Sequence, residues 1–247
     1  MGRVIGIMSG KGGVGKTTIA LNLGLAIHQF GHEVTIIDGD VKNPNLGLYL
    51  GIYSPPLTVN DVINKNIDLN IVKHTHSSGI HIVPAPLLLS SSSIGLTRLR
   101  DIFDKREGYF LIDFPPGLGK ETLSLLDICD EVLIITNPNI ASVASTMRTV
   151  KIVKNQDKNI MGVLVNMGGK SYEIGVDAIE TVCSVPLLGE LPEDENVRKS
   201  AMMKTPVLDY KPYSKASLNF KEMAAKITGN NYKKPQFSSL RSFLSSI

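Results

Sequence analysis

Tryptophan is absent from this 247-residue chain, cysteine occurs twice, and aromatic residues make up only 6%. Cys129 and Cys183 stand apart, without the Cys-x-x-Cys or Cys/His spacing of a metal site, and two are too few for a disulfide framework. Both are expected to be buried apolar residues. No apolar run nears the roughly 18 residues that a bilayer-crossing helix requires, and the short apolar N-terminal stretch has no small-residue cleavage site. The expected location is therefore cytoplasmic. Charge of one sign is also scarce. The formal net charge is +3, and from Gly229 onward Lys233, Lys234 and Arg241 are accompanied by no Asp or Glu, so the excess lies in the tail. A neutral body argues against a broad nucleic-acid footprint and makes DNA an unexpected partner.

What is present is an alternation. The runs "RVIGIM", "EVTIID", "IHIVPA", "YFLIDF", "EVLIIT", "IMGVLVNM" and "VPLLGEL" are short and rich in Val, Ile and Leu, as strands buried on both faces are. Between several of them lie stretches with helical spacing, such as "KTTIALNLGLAIHQFG", closed by Gly31, and "IASVASTMRTVKIVKN". This predicts an α/β fold of three layers, a mainly parallel sheet with helices on both faces. Ligands of such folds gather at the carboxyl ends of the strands. The polar clusters "SGKGGVGKT", "DGDVKNPN", "DFPPGLGKE" and "TNPNIAS" each follow directly on a strand-like run. There is no internal repeat, and the serine run at 90–93 reads as a loop.

Gly10, Lys11, Gly12, Gly13, Val14, Gly15, Lys16 and Thr17 satisfy G-x-x-x-x-G-K-[ST] between a strand and a helix, with Thr18 following. This is the P-loop pattern. Glycines let successive backbone N–H groups turn inward around phosphate oxygens, and the helix start adds the positive end of its dipole. Lys16 is expected to neutralise the β and γ phosphates of ATP, and the Thr17 hydroxyl to ligate Mg²⁺. Mg²⁺ takes oxygen ligands and usually keeps several waters, so one or two carboxylates complete its site. Asp38 and Asp113 end strand-like runs, with Asp40 two residues beyond Asp38. Asp38 and Asp113 are expected to hold metal-bound waters, and Asp40 to orient the attacking water.

One P-loop lysine suffices for the phosphates, yet this loop has two. The pattern K-G-G-x-G-K-T, with Lys11 directly after the first glycine, resembles the deviant Walker A motif of the MinD and ParA ATPases, MinD more closely. The resemblance spans residues 2–228, which are expected to form the ATPase domain, residues 229–247 being a basic linker and terminal helix. "DFPPGLG" is similar to the family's second switch, "DGDVKNPNLGLYLG" to its first, and "TNPNIASV" to its T-N-P-E-x-S segment. "VNMGG" places Asn166 where the family has an adenine-recognising asparagine, and "LPEDENVRKSAMMKTPV", with Pro192, Glu193 and Asp194, is similar to the stretch that closes over the base. By this resemblance Lys11 reaches across a face-to-face homodimer to the partner's nucleotide, in the manner of an arginine finger. Two departures stand out. No acidic residue occurs among Ser142, Ser145 and Thr146 before Arg148, where relatives carry a resting partner for the signature lysine, and Asn139 replaces the usual glutamate. Relatives that carry iron–sulfur clusters need paired cysteines, which this chain lacks.

In the tail, Phe237, Leu240, Phe243, Leu244 and Ile247 form one apolar stripe opposite serines and Arg241. MinD proteins commonly end in an amphipathic helix that lies on the membrane, so residues 237–247 are expected to bind lipid on the inner face of the cell membrane, Lys233, Lys234 and Arg241 facing anionic headgroups. A terminal helix packed on protein has the same periodicity. The resemblance implies slow, Mg²⁺-dependent ATP hydrolysis that resets an ATP-dependent dimer and so positions other proteins. Its alternatives are a ParA-like dimer on DNA and a metabolic kinase or ligase of the dethiobiotin synthetase type.

Overall fold

The computed structural model describes residues 2–86, 98–103 and 107–235. The terminal stripe at 237–247 and the serine run at 90–93 lie outside them. In chain order the described elements are β1 (Arg3–Met8), α1 (Lys16–Gln29), β2 (Val34–Asp38), α2 (Leu46–Tyr49), α3 (Val59–Lys65), α4 (Leu69–Val72), β3 (His74–Thr75), β4 (His81–Val83), α5 (Arg98–Phe103), β5 (Tyr109–Asp113), α6 (Lys120–Ile128), β6 (Glu131–Thr136), α7 (Ile140–Asn155), β7 (Asn159–Gly168), α8 (Val176–Cys183), β8 (Leu187–Pro192), α9 (Glu195–Met202), α10 (Val207–Tyr210) and α11 (Lys215–Thr228).

The strands form one sheet in the order β3-β4-β2-β5-β1-β6-β7-β8, parallel except for β3 against β4. Seven strands coincide with the seven apolar runs. The eighth, β3, has two residues, too few to show a period. Side chains alternate across the sheet, as the strand period of two requires. Val4 and Met8 of β1 enter one core with α3–α8, whereas Ile5 and Ile7 enter the other with α1, α10 and α11. Both faces are covered, which explains runs apolar throughout rather than alternating.

Strand β1 lies between β5 and β6, so chain connections leave it toward both sides of the sheet. The loop after β1 therefore opens at a topological switch point, where α/β folds bind ligands. Register brings the carboxylates level with it: Asp38 pairs with Asp113, and Asp113 with Ile7 of β1.

Helix α7 is capped by Asn139, whose side-chain oxygen accepts from Ser142 N at 3.0 Å. Helix α11 ends at Gly229, which takes a left-handed conformation with φ 74°. The chain beyond it turns back onto the body. Tyr232 meets Phe30 edge-on, and Lys234 pairs with Glu222 at 2.7 Å and donates to Asn219 Oδ1 at 3.0 Å. At such exposure the ion pair contributes under about 1 kcal/mol, a weak latch on the start of the tail.

Phe220 of α11 is buried in the core shared with α1 and lies outside the P-loop and switch segments. Phe220→Ala should destabilise the fold by about 3–5 kcal/mol through lost transfer energy and a cavity, read from urea unfolding. A loss below about 1 kcal/mol would mean that α11 is not integral to this core.

Candidate functional site

The loop between β1 and α1 is an anion cradle by construction. Gly15 precedes the helix in a left-handed conformation (φ 96°), no side chain caps the helix start, and its first turn has no acidic residue. The first amides of α1 are thus left for an incoming anion. Space forbids larger residues at two glycines. A Cβ on Gly15 would lie 2.4 Å from Asn166 Nδ2, and one on Gly10 would lie 2.3 Å from Ser145 Oγ of α7.

Lys16 and the three expected carboxylates Asp38, Asp40 and Asp113 are all buried. Thr17 donates its hydroxyl hydrogen to Asp113 Oδ2 at 2.5 Å, while Asp113 Oδ1 is buried with no hydrogen-bond partner. Burial raises the Asp113 carboxyl to about 7 against the pull of Thr17 and Lys16, and nearby Asp40 raises it further. Burial lowers the Lys16 ammonium, and Asp113 and Asp40 act in the opposite direction. A cavity of about 410 Å³ gathers Gly12, Gly13, Gly15, Lys16, Thr17 and Thr18 with Asp40, Asn43, Asn45, Tyr49, Asp113, Pro116 and Met167.

The orphaned Asp113 oxygen, the Thr17 hydroxyl and the Asp40 carboxylate are hard oxygen donors, which is the chemistry Mg²⁺ selects. Among the described residues no three His, Cys, Asp or Glu side chains form a metal-binding group by themselves. A cation here would therefore depend on phosphate oxygens and water for most of its shell, as Mg²⁺ at nucleotide sites does. Asp38 is placed differently from its neighbours. Its Oδ1 accepts from Asp40 N and its Oδ2 from Leu46 N, each at 3.1 Å, so it anchors the first switch and the start of α2. Burial and the Asp113 charge hold its carboxyl well above the usual range.

A second cavity, of about 340 Å³, adjoins the first through Thr18, Tyr49 and Met167. It is lined further by Asn166, Pro192, Glu193, Asp194, Val197, Arg198, Ala201 and Met202. Asn166 donates from Nδ2 to the Val14 carbonyl at 2.7 Å, tying β7 to the P-loop. Glu193 is held by Lys170 at 2.7 Å and Arg198 at 2.5 Å. Asp194 caps α9, accepting from Asn196 N at 2.9 Å, and also accepts from Ala216 N at 3.2 Å, which fastens α9 to α11. The four residues expected at the base, Asn166, Pro192, Glu193 and Asp194, thus all line one cavity. Tyr49, Arg198 and Met202 also line it; Tyr49 falls inside the first-switch segment and the other two inside the 191–207 stretch, but no motif position singles them out.

Lys11 is exposed and, among the described residues, forms no ion pair. On α7, where relatives carry an acid, the Thr146 and Thr149 hydroxyls donate to the carbonyls of Ser142 and Ser145 at 3.0 Å each. Both cysteines are buried, and burial pushes both thiols up, so neither is a ready metal ligand.

Sheet order, glycine cradle and carboxylates at the switch point define a P-loop nucleoside triphosphatase. Residues 1–228 match the ParA family, described as the NUBPL iron-transfer P-loop NTPase. An ATP-binding protein of Methanocaldococcus jannaschii, itself uncharacterized, is 36% identical over 251 residues, spanning 99% of this chain and 95% of that protein. The cell division ATPase MinD of Pyrococcus furiosus superposes with a TM-score of 0.85 at 32% identity, covering 93% of this chain and 99% of that one. The septum site-determining protein MinD of Pyrococcus horikoshii, complexed with Mg-ADP, superposes with a TM-score of 0.84 at 29% identity over 98% and 99% of the two chains. This chain belongs to the MinD/ParA family of P-loop ATPases, on its MinD side.

The Asp113 carboxyl has a sharp consequence for the ligand-free protein. Folded, it keeps its proton to about pH 7, whereas the reference value is 3.8. The native state therefore binds more protons between these values, and stability falls as pH rises through them. Asp38 is shifted in the same direction. The urea midpoint should drop between about pH 5 and about pH 8, and Asp113→Asn should flatten that drop. A wild-type midpoint that climbs over this interval would contradict the assignment.

Proposed function

We propose that the chain is a MinD-like switch. ATP joins two copies face to face, the dimer binds a lipid surface, and slow hydrolysis releases it, so that other proteins are positioned. The observation that carries this reading is the contrast between the two loop lysines. Lys16 is buried and compensated within its own subunit by Asp113 and Asp40. Lys11, five residues earlier in the same loop, is exposed and forms no ion pair among the described residues. A cation left over at the mouth of a phosphate site is available to a second subunit's nucleotide.

Surface character supports a subunit contact there. Ile140 and Tyr172 are each 80% exposed beside Met167 on the flank of the nucleotide cavities, an apolar patch at the edge of a charged site. Lys42 of the first-switch segment pairs with Glu121 of α6 at 2.9 Å, linking that segment to the helix that follows the second. Thr17, Asp113 and water held by Asp38 would serve Mg²⁺, which when bound adds positive charge against the developing phosphate charge. Asp40 lines the same cavity and has the position to hold the attacking water. Its Oδ1 accepts from Asn43 N at 3.0 Å, which fixes the carboxylate's orientation.

Membrane attachment rests on the apolar stripe at 237–247. Among the described residues no helix is long and apolar enough to cross a membrane. One stripe of about eleven residues is a weak anchor. Two stripes on one dimer bind far more tightly through effective concentration. A DNA-bound dimer remains the second reading, disfavoured by the neutral body; salt-dependent DNA binding would support it.

Lys11→Ala should leave ATP affinity within a few-fold and lower hydrolysis per subunit at least about tenfold, whereas Asp40→Ala should keep ATP bound and stop turnover. Deleting 237–247 should abolish ATP-dependent pelleting with anionic vesicles. Unchanged pelleting would remove the tail as the anchor.

A further inference from the structure

Tyr49 closes α2, inside the first switch, and lines both the phosphate cavity and the base cavity. Among the described residues, the others that line both are Thr18 and Met167. The sugar of a nucleotide filling both cavities must pass among these three. Tyr49 is half-buried, packed on the core cluster that also receives Leu50, Ile52 and, from α9, Val197. Among the described residues its hydroxyl has no hydrogen-bond partner. A phenol that is supported behind, open in front and unpaired at its tip suits a sugar, which presents both apolar edges and hydroxyls.

The ring is also held in register with the phosphate end. Asp38 Oδ2 accepts from Leu46 N at 3.1 Å, and Tyr49 N donates to Asn45 O at 3.1 Å, so α2 hangs from the buried carboxylate group. On its other side the segment touches the region after α9. Lys204 Nζ lies 4.8 Å from the Tyr53 ring centroid, and at left-handed Gly51 a Cβ would come within 3.0 Å of Lys204 Cδ. Such a cation–ring contact is modest at an exposed site, and it joins the far end of the first switch to the base side of the pocket.

We propose that Tyr49 is a nucleoside-binding residue, its ring forming the wall against which the sugar sits and its hydroxyl bonding a sugar hydroxyl. This rests on the reading that one nucleotide occupies both cavities. The first switch then has two contacts with its ligand: Asp40 at the phosphates and Tyr49 at the sugar. Displacing the switch when the terminal phosphate is lost also loosens the sugar, so nucleotide release follows switch position.

The test is equilibrium binding to the full chain with Mg²⁺, using ADP, 2′,3′-dideoxy-ADP and inorganic pyrophosphate as probes. Tyr49→Ala should weaken ADP about tenfold, as expected for losing one aromatic face, and leave pyrophosphate within about twofold. Tyr49→Phe should weaken ADP several-fold and leave dideoxy-ADP unchanged. Equal losses for ADP and pyrophosphate would show that Tyr49 merely supports the fold of the switch, and would overturn the proposal. So would an unchanged ADP affinity in the Ala variant. A Phe variant that discriminates ADP from dideoxy-ADP as wild type does would overturn the hydroxyl contact. A wild-type chain that binds pyrophosphate but not ADP would overturn the two-cavity reading itself, and Tyr49 with it.

Discussion

An imbalance of charge at the carboxyl edge of the sheet constrains this molecule. Strands β2, β5 and β1 lie side by side, and their register sets Asp38 level with Asp113 at the mouth of the P-loop. Three buried carboxylates and one buried ammonium in so little space are costly unless something positive and polyvalent joins them. The structure shows that strain in the raised Asp113 carboxyl and its orphaned oxygen. Magnesium with a nucleotide would relieve both ends, the metal offsetting the carboxylates and the phosphates bonding Lys16 and the first amides of α1. Among the described residues Lys11 forms no ion pair. On the proposed reading that exposed cation would serve the nucleotide of a second copy, and the pocket would be half of an interface.

The same geometry explains why the first switch is so densely tied. Asp38 accepts from a backbone amide on each oxygen, Asp40 orders Asn43, and Lys42 reaches Glu121 on α6. A segment held by a few bonds to one charged centre can rearrange as a unit when the charge at that centre changes. Each bond is local, and together, on the proposed reading, they would carry the state of the terminal phosphate outward to α2 and to the surface near α6.

Much of this was readable from the chain itself. Seven strands announced themselves because both faces of the sheet are covered, so each is an unbroken apolar run, and Gly31 marked the end of α1 through a left-handed conformation that glycine favours. The P-loop and the carboxylates were legible because phosphate and Mg²⁺ chemistry permit few substitutes. Strand β3 was not, since two residues carry no period, and its pairing with β4 comes from the turn between them. The anchoring role of Asp38, the bond from Asn166 to Val14 and the position of Tyr49 depend on how distant segments meet, which no local pattern records. Lys234 illustrates the same limit: its bonds to Glu222 and Asn219 on α11 join segments that no local pattern connects.

The central claim is that ATP completes its electrostatic environment only when a second copy contributes Lys11. Solution mass, measured by light scattering across a range of protein concentrations with saturating ATP and Mg²⁺ or with ADP, tests it most directly. The account predicts two chains per particle in ATP and one in ADP. A particle of one chain that stays fully loaded with unhydrolysed ATP at the highest concentration would contradict it.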